Sequence, residues 1–348
     1  MRVLNSTTNL LTTQFLTTQL LNPQLLNIVA VADIITQPRQ ERGFSFEVLP
    51  PLKGTGTGAL FAQMDKLAQL EPAFINITTH HAEWTYRELS DGRYERIRVR
   101  RRPGTIAIAA AIKQRYGLTV QPHVICSGAT TEDIEYELLD LQFLGISDLL
   151  LLRGDKAPGD RSFQPTAGGH AHTTDLCRQV QQFNAGFFAD GTAIKQPGQR
   201  FDYGVACYPE KHEEAPNIEM DLRYLKQKQE LGASYAVTQL FYDNEAFFRF
   251  CDRARQAGIT IPIIPGLKPL ARLSQLTVVP RTFHCDIPEE LARQIDSCQT
   301  DADAARLGVD WTVRQCRELY SHGIHNIHFY TMGATDAVVE IVTRLKQG

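Results

Sequence analysis

From residue 43 onward, short runs of β-branched and aromatic residues alternate with longer segments whose apolar positions recur every three or four residues. Runs of the first kind predict buried strands, and segments of the second kind predict amphipathic helices. Eight runs qualify: Phe44–Pro50, Phe74–Thr79, Thr119–Cys126, Asp148–Gly154, Asp202–Pro209, Tyr235–Asp243, Ile261–Lys268 and Ile324–Met332. Between them, helical spacing is found over Leu60–Leu70, Thr130–Leu144, Ile218–Leu231, Asn244–Ala257 and Thr312–His322. Gly145, Gly232, Gly258 and Gly323 each precede a strand, where a glycine closes the helix before it. Thr130-Thr131-Glu132-Asp133 supplies the hydroxyls and acids that a first helical turn favours. Eight strands with seven or eight helices in about 300 residues is the count of a single α/β (β/α)8 TIM barrel. A doubly wound open sheet is the alternative.

Residues 1–40 follow neither period. From Leu10 they read LLTTQ-FLTTQ-LLNPQ-LLN, a degenerate repeat without a charged residue. Its Thr, Gln and Asn interrupt the apolar core that a signal peptide needs. These residues are expected to be a low-complexity extension, disordered or partly helical, ahead of a catalytic barrel over 41–348. Composition narrows the class of protein. The chain has 348 residues, 43% hydrophobic, and a net charge of 36 − 39 = −3, which gives no electrostatic case for nucleic acid or a membrane surface. No apolar run approaches the ~20 residues of a membrane span. Seven cysteines without a C-x-x-C pair argue against a disulfide framework or a zinc finger and fit a reducing cytoplasm.

A barrel places its chemistry at the carboxyl ends of its strands, and polar residues interrupt these strands there. The first strand has Glu47 between Phe46 and Val48, an acid that is costly to bury unless neutral or hydrogen-bonded. The second ends Thr78-Thr79-His80-His81, the third holds His123, and the fourth ends Arg153-Gly154-Asp155. The fifth ends Tyr208-Pro209-Glu210-Lys211-His212, the sixth contains Gln239, the seventh ends Gly266-Leu267-Lys268, and the eighth Tyr330-Thr331. Together they predict a lined pocket. The histidines lack a third ligand at firm spacing, so no metal is expected. The basic stretch 87–102 (RELSDGRYERIRVRRRPG) reads as a solvated loop, with phosphate contact as a further role. Gly54, Gly56 and Gly58 with Ala59 fit G-x-G-x-x-A, the dinucleotide fingerprint, but Pro50–Lys53 separate them from the strand. The acid expected about 20 residues on is also missing. They are expected to form a mobile loop beside the pocket.

The segments FSFEVLPP, INITTHH, QPHVIC, LLRGD, ACYPEKH, AVTQLFYD, IPGLKP and HFYTMG, in this order over about 43–335, resemble those of the 5,10-methylenetetrahydrofolate reductase family. The resemblance implies non-covalent FAD and a ping-pong cycle. In it NAD(P)H reduces the flavin, and the flavin then reduces methylenetetrahydrofolate to 5-methyltetrahydrofolate for methionine synthesis. Transferred by position, Glu47 is implied as the acid that protonates N10 of the folate, and Asp155 as the acid beside the flavin and pterin that tunes the flavin potential. Thr78, His123, Arg153, Gly154, Asp155, Tyr208, His212, Asp221 and Lys228 are implied FAD contacts, with the helix amino end near Asp221 suiting the pyrophosphate. Gln239 and Gln275 join Glu47 as substrate contacts. The family's substrate-stacking aromatic aligns with Val279, and Tyr224 and Gln227 stand where relatives often have Asn and Arg. The stretch 87–102 has no counterpart in the shortest bacterial forms. The likeness is to the bacterial, barrel-only type, without the regulatory domain of animal enzymes. It implies NADH or NADPH as reductant, with NADH favoured by the bacterial look of the chain, small-molecule substrates only, a cytoplasmic location and a homo-oligomer. Rival readings are a barrel that binds folate or flavin without catalysis, a flavin barrel of the proline dehydrogenase type, and a Rossmann dehydrogenase. The combination of Glu47, Asp155 and Gln239 speaks against the first, the second explains neither Glu47 nor the LRGD match, and the third has only the glycines at 54–58 for support.

Overall fold

A computed structural model of the chain describes residues 30–36, 43–80, 83–156 and 160–347. In chain order the strands are β1 (Gly43–Val48), β2 (Phe74–Ile77), β3 (Glu83–Glu88), β4 (Tyr94–Val99), β5 (Val120–Ile125) and β6 (Asp148–Leu152). They continue with β7 (Asp202–Cys207), β8 (Tyr235–Thr238), β9 (Ile263–Ile264), β10 (Gly266–Leu267) and β11 (Asn326–Tyr330). The helices are α1 (Val31–Thr36), α2 (Gly58–Ala68), α3 (Thr105–Tyr116), α4 (Thr131–Phe143), α5 (Thr173–Asn184) and α6 (Ile218–Glu230). After them come α7 (Asn244–Gln256), α8 (Gln275–Phe283), α9 (Glu289–Asp296), α10 (Asp301–Ser321) and α11 (Thr335–Gln347).

All the strands except β3 and β4 form one parallel sheet in the order β10-β11-β1-β2-β5-β6-β7-β8-β9. Its two ends meet. The pieces β9 and β10 are halves of one strand divided at Pro265, which has no N–H to give a ladder but still accepts from the His328 N–H at 2.9 Å. One half pairs with β8 and the other with β11, so the sheet closes into the expected eight-stranded barrel. The strands read as near-continuous apolar runs because helices cover one face and the barrel interior takes the other. Phe44, Phe46 and Val48 of β1 point outward into the core beneath the helices. Ser45 and Glu47, at the alternate positions, point inward.

The predicted helices appear with ends shifted by one or two residues, except that α10 begins at Asp301, eleven residues before the expected start at Thr312. Gly145, Gly232, Gly258 and Gly323 all have positive φ, as helix-closing glycines do. Thr130 and Asp133 form the reciprocal cap of α4. The sequence reading missed α3, α5, α8, α9 and α11. In α3, TIAIAAAIKQRY is apolar on most sides, so it shows little helical contrast.

Two further departures matter for the site. Within the expected extension, Val31, Ile34 and Ile35 of α1 are buried, and the Val31 N–H donates to Asp148 Oδ1 at 2.7 Å. Val31 and Ile35 cluster with Phe74, Leu150, Tyr235, Val237 and Ile264, so α1 plugs the lower barrel interior. The repeat over 10–28 lies outside the described residues. The basic stretch is not a plain loop: β3 and β4 pair as an antiparallel hairpin from Glu83↔Val99 to Glu88↔Tyr94. Gly54 and Gly56 lie in an exposed turn, outside the lining of the central cavity, and Lys53 N–H ties that turn to the Arg101 carbonyl at 2.7 Å. Gly58 opens α2. The closed barrel leaves no switch point for a Rossmann site. No helix among the described residues is long and apolar enough to cross a membrane.

Candidate active site

The carboxyl ends of the strands open into a cavity of about 850 Å³. Glu47 lies at its floor, only 8% exposed. Loss of hydration disfavours the charged carboxylate, so burial pushes its pKa up from 4.5 to about 8. At neutral pH Glu47 is therefore a protonated acid. Its neighbour His123, with Nε2 at 3.6 Å from Glu47 Oε2, is driven the other way, down to about 3. Burial is the main cause for both groups. The pair is close enough to count as an ion pair by distance, yet both members are neutral, and 3.6 Å is too long for a hydrogen bond.

Around this pair the upper barrel interior is polar. Ser45 Oγ and His328 Nδ1 lie 2.8 Å apart, and Gln121 Nε2 donates to the Leu149 carbonyl at 3.0 Å. Asn76 Nδ2 and Oδ1, Gln121 Oε1, His123 Nε2 and His328 Nε2 are buried without a protein partner. Leaving such groups unpaired costs about 1–3 kcal/mol each. Their concentration around Glu47 marks a place built for something other than stability. Tyr330, level with Glu47 on the neighbouring strand, has its hydroxyl donating to the Thr238 carbonyl at 2.6 Å.

The expected site residues converge on this cavity. Thr78, His123, Arg153, Gly154, Asp155, Tyr208, His212, Lys228 and Gln239 line it together with Glu47. Local structure fixes each of them. Thr105 Oγ1 holds the Thr78 carbonyl at 2.9 Å, while Thr79 donates to the His123 carbonyl, so the ends of β2 and β5 are tied together. At Gly154, φ is +82°, and a Cβ there would meet Ser127 Cβ at 2.6 Å; only glycine fits this turn between Arg153 and Asp155. Tyr208 packs edge-on against His212, ring centroids 4.7 Å apart. The loop between them holds Lys211 at φ +88°, a strained non-glycine conformation of the kind that clusters at functional sites.

Asp221 sits next door, in a groove of about 260 Å³ that shares Arg153, Tyr208, His212 and Lys228 with the main cavity. Its Oδ2 accepts the His212 N–H at 2.8 Å, and burial raises its pKa. Lys228 is half-buried and its pKa is lowered by desolvation; Nζ donates to the Ala206 carbonyl at 3.0 Å. Among the described residues no carboxylate lies within ion-pair distance of it. Arg153 and Lys156, by contrast, are neutralised by Glu214 and Glu213. The first turn of α6 is already capped, Asn217 Oδ1 accepting the Met220 N–H at 3.0 Å, so the cation on offer in the groove is Lys228.

One expected residue stands apart. Gln275 Oε1 accepts the N–H groups of Ala271 and Arg272, at 2.6 and 3.2 Å, and the side chain lies outside the cavity lining. Val279 is 1% exposed in the core with Leu240 and Tyr242. The aromatic ring it does not supply enters the cavity lining from Phe283, one turn further along α8. Three residues of the hairpin, Tyr86, Arg96 and Arg98, also line the cavity. In the groove His172 stacks on Tyr224, with centroids 6.4 Å apart. Sequence reading missed Phe283, His172 and the hairpin residues because none sits at the end of a barrel strand. His81 lies outside the described residues, and among those described no cluster of three or more His, Cys, Asp or Glu could hold a metal ion.

The comparisons with known proteins agree with the geometry. The sequence model of the family described as methylenetetrahydrofolate reductase matches residues 32–346. The 5,10-methylenetetrahydrofolate reductase of Escherichia coli is 31% identical over 293 residues, 84% of this chain and 86% of that protein. Methylenetetrahydrofolate reductase (NADH) 1 of Arabidopsis thaliana is 28% identical over 315 residues, 88% of this chain and 48% of the relative. Methylenetetrahydrofolate reductase 2 of Saccharomyces cerevisiae is 28% identical over 323 residues, 90% of this chain and 49% of the relative. The chain thus spans about half the length of these plant and yeast relatives. Among solved structures, an uncharacterized protein from Clostridium thermocellum that binds two copies of 5-methyl-5,6,7,8-tetrahydrofolic acid shares the fold. Its TM-score is 0.52 at 14% identity, covering 89% of this chain and 96% of that one. By the family match over nearly all of the described residues, the chain belongs to the methylenetetrahydrofolate reductase family.

Proposed function

We propose that this chain reduces 5,10-methylenetetrahydrofolate to 5-methyltetrahydrofolate, with NAD(P)H as reductant and non-covalent FAD as the redox group. The observation that carries the reading is Glu47, a carboxylic acid kept neutral by burial at the floor of a substrate-sized cavity. FAD, when bound, supplies the two-electron relay between nicotinamide and folate. The residues present fit it. Lys228 is a half-buried cation with donors to spare beside a groove, and the stacked His172–Tyr224 pair gives that groove an aromatic wall suited to an adenine. Thr78, His123, Arg153, Gly154, Asp155, Tyr208, His212 and Asp221 complete the contacts.

Glu47 donates its proton to N10 of the folate, which opens the five-membered ring to the reactive iminium. A pKa near 8 suits this step, because the acid is loaded at neutral pH and is still strong enough to give up its proton. Gln239 presents an amide to the pterin, and Phe283 offers a ring at the rim. Asp155 places negative charge near the redox group, which opposes its anionic reduced form. NADH is the reductant assigned, in line with the NADH named for the plant relatives. With this reading go a cytoplasmic location and self-association, as the family resemblance implies.

The test is the visible spectrum of the purified protein under anaerobic conditions. Yellow absorption that bleaches with NADH and returns with methylenetetrahydrofolate is the expected result. A colourless protein that takes up no added FAD would sink the reading.

A further inference from the structure

The mouth of the cavity is tied together by one short acidic run, 210–214, in the loop after β7. Its three carboxylates reach different neighbours. Glu214 accepts from Arg153 and from the Phe163 N–H, both beyond β6. Glu210 Oε2 accepts the Asp286 N–H at 3.0 Å, just past the end of α8. Glu213 serves both sides: its Oε2 accepts from Lys156 Nζ at 2.9 Å and lies 2.9 Å from His284 Nε2. A single oxygen atom therefore joins the loops after β6 and β7 to the end of α8. Every arm of this clamp ends beside a residue of the cavity lining. Lys156 follows Asp155, Glu213 follows His212, and His284 follows Phe283.

The clamp holds the chain against its local preference. His284 ends α8 at φ +53°, in the left-handed region where glycine is the usual helix-closing residue, and Lys211, two residues before Glu213, stands at φ +88°. With Met332 of the lining at φ +36°, three of the four non-glycine residues of positive φ among the described residues stand at or beside the lining. Such strain persists only where the surroundings hold it, and it gathers at functional sites. The Glu213 side chain is 24% exposed and its partners are more so, and ion pairs of that kind add little to stability. What the clamp fixes is direction. With His284 held, the last residue of α8, Phe283, keeps its place in the cavity wall with Gln239 and Leu240.

We propose that Glu213 is a positioning residue for the folate half-reaction: by holding His284 it sets Phe283 against the aromatic ring of the folate. Glu213 itself lies outside the cavity lining and touches neither substrate. This inference rests on the proposed reductase reading. A ping-pong site receives a nicotinamide and a folate in turn, and the two differ in what lies beyond the reacting ring. A folate carries its aminobenzoyl ring directly on N10. With N10 at Glu47, that flat apolar ring needs a wall toward the mouth, and Phe283 supplies an aromatic one. A nicotinamide carries a ribose there and gains nothing from such a wall. The clamp therefore sets the affinity for one substrate and leaves the other alone.

The test uses the full-length FAD-loaded protein under anaerobic conditions, with the variants Glu213→Gln, His284→Gln and Phe283→Ala. The dissociation constant of 5-methyltetrahydrofolate is read by calorimetry, and that of NADH from the concentration dependence of flavin bleaching. Phe283→Ala is expected to weaken 5-methyltetrahydrofolate about tenfold, the worth of one aromatic contact. Glu213→Gln and His284→Gln should each weaken it about fivefold, within the range of coupling between residues in contact. NADH affinity should match wild type in all three. In Glu213→Gln/Phe283→Ala the losses should not add, because the clamp then has no ring to aim; independent sites would add. If Glu213→Gln and His284→Gln bind 5-methyltetrahydrofolate as wild type does, if the losses add in the double variant, or if NADH weakens equally, the inference is overturned while the reductase reading stands. A wild-type protein that binds no 5-methyltetrahydrofolate overturns both.

Discussion

The lower and upper halves of the barrel interior are built from the same strands but do opposite things. Below, Phe74, Leu150, Tyr235, Val237 and Ile264 meet Val31 and Ile35 of the amino-terminal helix in an apolar plug. Above, Asn76, two residues beyond Phe74 on β2, lies level with Glu47 of β1, and there and at His123 of β5 polar groups replace hydrocarbon, those of Asn76 and His123 Nε2 buried without a protein partner. Apolar burial of the lower kind stabilises by about 1.5–3 kcal/mol per large side chain. A protonated carboxyl among orphaned amides and imidazoles does not. The difference shows where the fold is maintained and where it is strained for chemistry, and it can be probed from either end.

The largest effect is expected in the upper half. Glu47→Gln should slow reduction of methylenetetrahydrofolate by about 10²–10⁴-fold, the worth of a positioned general acid, while NADH still bleaches the flavin. Stopped-flow measurement of the two half-reactions separates them, and a near-wild-type folate step would remove Glu47 from its role. In the lower half, Ile264→Ala should lower stability by about 2–5 kcal/mol, read from the denaturant midpoint, with the folate step retained in the folded protein. An effect below 1 kcal/mol would mean that the plug is not a tightly packed core.

A third prediction concerns pH. The native Glu47 carboxyl keeps its proton up to about 8, whereas the unfolded chain releases it near 4.5. Between those values the native state binds more protons, so Glu47 makes stability fall as pH rises through this window, with no further loss above it. Glu47→Gln should therefore be more stable than wild type by on the order of 5 kcal/mol near pH 9, with the gap closing toward pH 4.5. Thermal midpoints across the range decide it; a constant gap would mean that the carboxyl is not displaced. The smallest effect belongs to Asp155, which is exposed and so screened. Asp155→Asn should raise the flavin potential by on the order of 30 mV or less, measured by dye-coupled titration. An unchanged potential would leave Asp155 without an electrostatic part.

The barrel was legible because its strands are buried on both faces and its helices end in glycines with positive φ. The polar residues that break the apolar runs therefore stood out. Position by position, Glu47, His123, Arg153, Gly154, Tyr208 and Gln239 fell where strand-end reasoning put them. What escaped had weak contrast. The hairpin strands are mostly exposed and charged, and their alternation is confined to the short run Arg96-Ile97-Arg98-Val99, which the surrounding charges mask. Helix α3 is apolar almost all round. Gln275 lies outside the cavity lining because its side chain serves the turn at Ala271–Arg272. Phe283 was overlooked because it reaches the cavity from a helix rather than a strand. Helix α1 was hidden by the low-complexity residues around it, although VADIIT already carries the apolar positions that fill the barrel floor.

The most direct test is the pH dependence of the folate half-reaction in wild type and Glu47→Gln. The rate at which pre-reduced enzyme is reoxidised by methylenetetrahydrofolate should be level at neutral pH and fall as pH rises through about 8, as the buried acid loses its proton. The Gln variant should be slow and flat. A wild-type profile that stays level past pH 9, or a variant that keeps the wild-type rate, would contradict the assignment of Glu47 as the neutral acid of this site.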